Sequence, residues 1–204
     1  VEATDFIVQS CRQTGKHLLY ISTDFVFDGQ DELYSEDDPP DPQSWYARTK
    51  YDGELLVHTL GLLGLVVRIA FPYRAKNDMK KDFLHRMIEL LAGGETVTAP
   101  TDQIFVPTFV DDIAEALRNL VNNDAFGIYH VVGSQALSPF EAGKKAAKTL
   151  GYDGNLVTSA LFADYYQNRA SRPFHAKLSN AKILKSGVKM STFDEGLAVI
   201  KKQQ

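Results

Sequence analysis

Apolar positions follow two periods along the chain. Val1, Phe6, Ile7 and Cys11 recur at helical spacing, which predicts a helix over 2–14, and Gly15 stands where a left-handed cap would close it. A continuous apolar run predicts a strand over 17–22. A loop rich in Asp, Pro and Gly occupies 24–44. The helical period then returns over 45–61, and a second apolar run covers 65–70. Beyond it the pattern predicts helix 79–92, ended by Gly93 and Gly94, a short strand at 96–99, helix 111–122, strand 127–132 and helix 138–150. The last helix opens on Ser138, with Pro139 in first position and Glu141 three residues after the cap, the reciprocal capping pattern. Weaker helical patterns lie near 160–168, 179–185 and 192–202.

The runs at 17–22, 65–70 and 127–132 are apolar on both faces and β-branched, as in a parallel sheet covered by helices on both sides. The alternation of helix and strand predicts an α/β fold with right-handed crossovers. The first helix leads straight into a strand, which is half of a βαβ unit. The strand that should precede it is not in the sequence, so the chain is expected to lack part of a larger fold at its N-terminus. Segments 1–72 and 101–135 read as the sheet unit, and 73–100 with 136–204 as a second, smaller lobe.

Composition narrows the class. With 204 residues, 44% hydrophobic and 24% charged, the chain is expected to be globular, with no apolar run long enough to span a bilayer. A net charge of −4 argues against a broad basic face for nucleic acid. A single cysteine, Cys11, and no basic segment leading into an apolar one point to the cytoplasm.

The chemistry concentrates at Tyr46 and Lys50, which share one helix face at i,i+4. A tyrosine ordinarily ionises near pH 10, and a neighbouring ammonium lowers that value by stabilising the phenolate. Ser22 and Thr23 end the first strand, where a hydroxyl could hold a carbonyl oxygen beside the phenol. Asp24 follows and reads equally as an ordering residue for the loop or a functional carboxylate. The histidines show no metal-ligand spacing. Cys11 reads as a packed residue, Asp111 and Asp112 as a helix N-terminus favoured by the dipole. Arg169, Arg172 and Lys177 could meet a phosphate.

The segment Tyr20-Ile-Ser-Thr-Asp-Phe-Val-Phe-Asp-Gly29 resembles the strand and loop signature of the extended short-chain dehydrogenases/reductases, and more narrowly their dTDP-4-dehydrorhamnose reductase branch. Tyr46 to Lys50 with Gly53 and Glu54, Val67 to Phe71, Asp102 and Gln103 with Pro107, Thr108 and Asp111 to Ala114, Gly127 to His130, and Arg172, Pro173 and Leu178 agree in order. The resemblance implies a Rossmann-type doubly wound sheet with a C-terminal substrate lobe. It implies NADP or NAD as cofactor and a nucleotide-linked 4-keto-6-deoxy sugar as substrate, with hydride transfer to C4 and no metal. By residue it implies Thr23 as partner of the carbonyl oxygen and Tyr46 as proton donor. Lys50 would bind the nicotinamide ribose and tune Tyr46. Ser22 and Phe71, with Arg68 and Pro72, would lie on the nicotinamide side of the cleft, and Asp24 and Arg172 would meet the substrate.

Two departures bear on this. No G-x-x-G-x-x-G occurs, so the loop that holds a pyrophosphate is not in the sequence. Phe25 and Phe71 stand where the family more often has Tyr and Trp, which leaves the sugar open. Two rivals share the motifs: a sugar-nucleotide epimerase or dehydratase, for which the usual acidic pair after Thr23 is not evident, and a non-catalytic regulatory subunit like the methionine adenosyltransferase β subunit. Homodimerisation is left open.

Overall fold

A computed structural model describes residues 1–75, 81–167 and 170–203. The expected helix start at 79 and Arg169 lie outside the described residues. Helix α1 (Glu2–Thr14) closes on Gly15, whose φ of 66° sends its N–H to Cys11 O. Strand β1 (Leu18–Thr23), helix α2 (Trp45–His58) and strand β2 (Gly64–Ile69) form a βαβ unit, with β1 and β2 parallel from Leu18↔Gly64 to Thr23↔Ile69. The pattern carried α2 to residue 61, but the helix ends at His58 with Thr59 as its cap, and Gly61 begins a separate 3₁₀ turn, Gly61–Leu63.

The chain next forms β3 (Pro72–Tyr73), α3 (Phe83–Ala92), β4 (Val97–Pro100), β5 (Thr108–Phe109) and α4 (Val110–Asn122). Then come β6 (Gly127–His130), α5 (Pro139–Leu150), β7 (Val157–Ala160), α6 (Phe162–Tyr165), α7 (Ala181–Lys185) and α8 (Phe193–Gln203). Helix α3 starts where the Asp82 side chain accepts from His85 N at 3.0 Å, an N-cap. The capping box of α5 is present in full. Strand β7 replaces the start of the helical segment expected from 160, and α6 keeps four residues of it.

The main sheet runs β1-β2-β6, all parallel, with β2, apolar but for Arg68, in the centre. Its side chains divide between two layers. Val66 packs with Val8 of α1 and Val57 of α2, whereas Leu65 and Val67 pack with Ile113, Ala116 and Leu120 of α4 and Ile183, Val188 and Met190 near α7. Helices therefore cover both faces, and the fold is an α/β, Rossmann-type arrangement. A separate core joins Leu84, Met87 and Leu91 of α3, Ala142 and Ala146 of α5, and Phe193, Leu197 and Ile200 of α8 around the parallel pair β4–β7. No helix among the described residues is long and apolar enough to cross a membrane.

Two devices set α2 against the sheet. A Cβ at Gly53 would collide with Tyr20 Oη, so glycine lets α2 approach β1 closely. One residue on, Glu54 takes a bidentate pair from Arg68 of β2, with Nε to Oε1 at 3.0 Å and Nη2 to Oε2 at 2.7 Å, and Arg68 is only 1% exposed. Arg68 Nη1 lies 3.3 Å from His130 Nε2 of β6. An arginine can only donate, so Nε2 accepts and the imidazole is neutral. Arg68 thus faces inward, which corrects its expected place beside the cleft; a guanidinium in a central strand needs a buried carboxylate, and Glu54 supplies it.

Burial, helped by the Arg68 charge, pushes the His130 pKa down to about 3 from the ordinary 6.5. The folded state then holds fewer protons than the unfolded one between these values. The stability contribution is present above pH 6.5 and is lost as pH falls toward 3. By pH 5 the loss is about 2 kcal/mol relative to a non-titrating residue, from the unfolded pKa alone. Urea unfolding of His130→Asn at pH 7 and pH 5 checks this: the variant's stability should fall less on acidification than that of wild type.

Candidate active site

In an open parallel sheet, ligands bind beyond the carboxyl ends of the strands. At that edge β1 ends on Ser22 and Thr23, and the chain turns through a 3₁₀ turn, Asp24–Val26. Thr23 stays extended at φ −139°, and its Oγ1 caps the turn by accepting from Phe25 N at 3.3 Å. The same hydroxyl donates to Asp24 Oδ1 at 3.0 Å. Ser22, Thr23 and Asp24 are all buried.

Helix α2 brings the second half of the site. Ser44 caps it by accepting from Ala47 N at 3.2 Å, which puts Tyr46 in the first turn and Lys50 in the second, on one face. Tyr46 is 53% exposed and meets the edge of Phe25, with ring centroids 6.2 Å apart. Lys50 Nζ donates to Ile21 O at 2.8 Å and sits 5.0 Å from the Tyr20 ring, so it reaches along β1 toward Ser22. Burial lowers the Lys50 pKa, and the nearby Glu54 carboxylate opposes that shift.

Beyond β2, Phe71 has a positive φ of 39°, which a non-glycine residue adopts only under strain. Its carbonyl accepts from Thr108 N at 3.2 Å and its ring packs on Phe105 at 4.7 Å, contacts that hold the turn. Arg172 approaches from the C-terminal segment, its guanidinium 5.6 Å from the Phe25 ring and 5.3 Å from the Tyr166 ring.

Ser22, Thr23, Asp24, Tyr46, Lys50, Phe71 and Arg172, all singled out in the sequence, line one cavity of about 590 Å³. Phe71 and Arg172 also border a second cavity of about 480 Å³, which runs along α3 and β4 past Arg86 and Tyr165. Several lining residues were not legible as site residues. Trp45, 81% exposed at the mouth, carries no motif beyond being aromatic, and Phe25, set against Tyr46, stands out in the sequence only as a departure from the family's usual Tyr.

Two buried oxygens in the cavity, Ser22 Oγ and Asp24 Oδ2, have no hydrogen-bond partner among the described residues. Burial pushes the Asp24 pKa up to about 7, against the opposing pulls of the Thr23 hydrogen bond and the Arg172 charge. The pocket thus combines a phenol, an ammonium and a guanidinium with a carboxyl group that titrates near neutrality. This set can hold a polar oxygen and deliver a proton to it.

The sequence profile of the family described as RmlD substrate binding domain matches residues 1–204. A probable low-salt glycan biosynthesis reductase of Haloferax volcanii is 31% identical over 186 residues, covering 89% of this chain and 62% of that protein. The methionine adenosyltransferase 2 subunit beta of Pongo abelii is 28% identical over 200 residues, covering 94% of this chain and 59% of that one. The crystal structure of dTDP-4-dehydrorhamnose reductase from Bacillus anthracis in complex with NADP superposes with a TM-score of 0.89 at 28% identity, over 98% of this chain and 70% of that one. The chain spans about three fifths of the length of the curated relatives it matches.

Proposed function

The chain belongs to the RmlD substrate binding domain family, and from that premise we propose that it carries the catalytic residues of a reductase using NADP or NAD on a nucleotide-linked 4-keto-6-deoxy sugar. The observation behind this reading is the facing of Tyr46 and Lys50 on α2 with Ser22 and Thr23 at the end of β1 in a single cavity. The solved Bacillus anthracis enzyme with NADP and the Haloferax volcanii reductase support it. The lobe division proposed with it, 73–100 and 136–204 beside the sheet unit, has the separate apolar core in its favour, although 183–190 pack on the sheet.

The residues present suit the nicotinamide end of such a cofactor. Ser22 Oγ is buried and has no partner among the described residues, and Lys50 keeps two of its three N–H groups after Ile21. Ser22, Tyr46, Lys50 and Phe71 would hold that end. When bound, the reduced cofactor supplies a hydride to the sugar's C4.

The chain's own groups deal with the oxygen. Thr23 orients the C4 carbonyl and Tyr46 gives it a proton. The Lys50 ammonium stabilises the phenolate left behind. Arg172, which borders both cavities, and Asp24, in the first, meet the substrate, and the nucleotide would lie in the second, where a guanidinium matches phosphate oxygens. A cytoplasmic location belongs to the same reading.

The direct test is oxidation of NADPH or NADH by the purified protein in the presence of a dTDP-4-keto-6-deoxy sugar. The likeness to the methionine adenosyltransferase β subunit supports a second reading, a regulatory subunit. No turnover together with a stable complex with a methionine adenosyltransferase catalytic subunit would decide for it. Turnover decides for the reductase.

Lys50→Met tests the ammonium's two roles at once. Losing the charge beside Tyr46 should raise the pH at which the essential acid is lost. Losing the donor should weaken binding of the reduced cofactor about tenfold, or ~1.4 kcal/mol. A pH profile of kcat with a calorimetric titration reads both, and an unchanged profile would contradict the assignment.

A further inference from the structure

The polarity of one hydrogen bond conflicts with the role given to Thr23. A threonine hydroxyl has one hydrogen and two lone pairs. Here Thr23 Oγ1 accepts from Phe25 N at 3.3 Å and sends its hydrogen to Asp24 Oδ1 at 3.0 Å. With the hydrogen committed to Asp24, none is left for a carbonyl oxygen in the cavity. The bond can reverse only if a proton sits on Asp24. The carboxyl O–H then donates to the second lone pair of Oγ1, Phe25 N keeps the first, and the Thr23 hydrogen turns to the substrate.

We infer that Asp24 is a positioning residue whose proton sets the direction of the Thr23 hydroxyl, so that the site is competent with Asp24 protonated and loses its carbonyl donor when Asp24 ionises. This rests on the reductase reading above. The proton on Asp24 is not consumed, because Tyr46 supplies the one that ends on the sugar.

The surroundings keep such a proton within reach of neutral pH. Asp24 is 2% exposed, and its second oxygen has no partner among the described residues, so burial opposes the charge. The charged and titratable groups facing it are Arg172, from the C-terminal segment, and Tyr46 and Lys50, from α2. The Thr23 hydroxyl, the backbone N–H groups of Asp24 and Phe25, and the Arg172 charge favour ionisation, and burial outweighs them, leaving the carboxyl with a pKa of about 7. Substrate contacts in this cavity would shift that value in either direction.

The test compares pH profiles of kcat/KM, which report the free enzyme, with the Asp24 carboxyl titration followed by ¹³C NMR. In wild type, kcat/KM should fall about tenfold per pH unit above the NMR midpoint. Thr23→Val keeps the β-branched shape and removes the hydroxyl. It should lower the plateau and abolish the limb that tracks Asp24, while the carboxyl still titrates by NMR. Thr23→Ser should restore the limb, and Asp24→Asn should lack it. A Thr23→Val enzyme that keeps the limb would overturn the inference, because Asp24 would then act without Thr23. A wild-type profile flat through the NMR midpoint would overturn it too. Absence of turnover by wild type at every pH would instead sink the reductase reading, and this inference with it.

Discussion

Tyr46→Phe is expected to lower kcat with a 4-keto sugar nucleotide by about 10²–10⁴-fold, the range that a positioned general acid supplies. The substitution deletes one oxygen from a ring that is half exposed, and the edge contact with Phe25 needs only the ring. The fold should therefore be unaffected, and the thermal midpoint should match that of wild type. Lys50 would keep its hydrogen bond to Ile21 O, so cofactor affinity should change little. A loss confined to kcat separates a missing proton donor from a damaged pocket. Full activity in Tyr46→Phe would show that the proton comes from elsewhere, with Asp24 the next group to examine.

How much of this was legible before the structure depended on the range of the interactions. The strands β1, β2 and β6 stand out as mainly apolar runs, and their parallel pairing follows from the helices between them. Strand β7 did not, because only four residues long it buries Val157 and exposes Thr158 and Ser159, too short a stretch to establish a period. The two-residue pair β3–β5 is shorter still. Within the site, Ser22, Thr23, Asp24, Tyr46 and Lys50 were legible because motif spacing carries them to one strand end. The polarity of the Thr23–Asp24 bond was not, since it depends on how deeply the turn after β1 is buried. Arg68 could be recognised as a charge in an apolar strand, but its partner, fourteen residues away on a helix, is a fact of packing.

That pairing carries the largest expected effect on stability. Arg68→Met leaves Glu54 buried at 3% exposure with its bidentate partner gone. Breaking a buried ion pair by removing one member typically costs about 3–5 kcal/mol, because the remaining charge is uncompensated. Removing both charges by Glu54→Leu with Arg68→Met should recover most of the stability, because the desolvation cost goes with the pair. Arg68 also donates to His130 Nε2, so the double variant should keep a residual deficit from that lost hydrogen bond, about 1 kcal/mol. Activity should follow a different course. Glu54 lies one turn beyond Lys50 on α2, and its bond to β2 holds the helix that carries Tyr46 against the neighbour of β1, the strand that carries Thr23. Under conditions where Arg68→Met is still folded, its kcat should fall together with a rise in KM for the cofactor. Urea unfolding of wild type, both single variants and the double variant at pH 8 measures the coupling. A single Arg68→Met variant within 1 kcal/mol of wild type at pH 8 would mean that water or a neighbouring group takes over the guanidinium's place, and that α2 is held by its apolar contacts and by the Lys50 bond to Ile21 O.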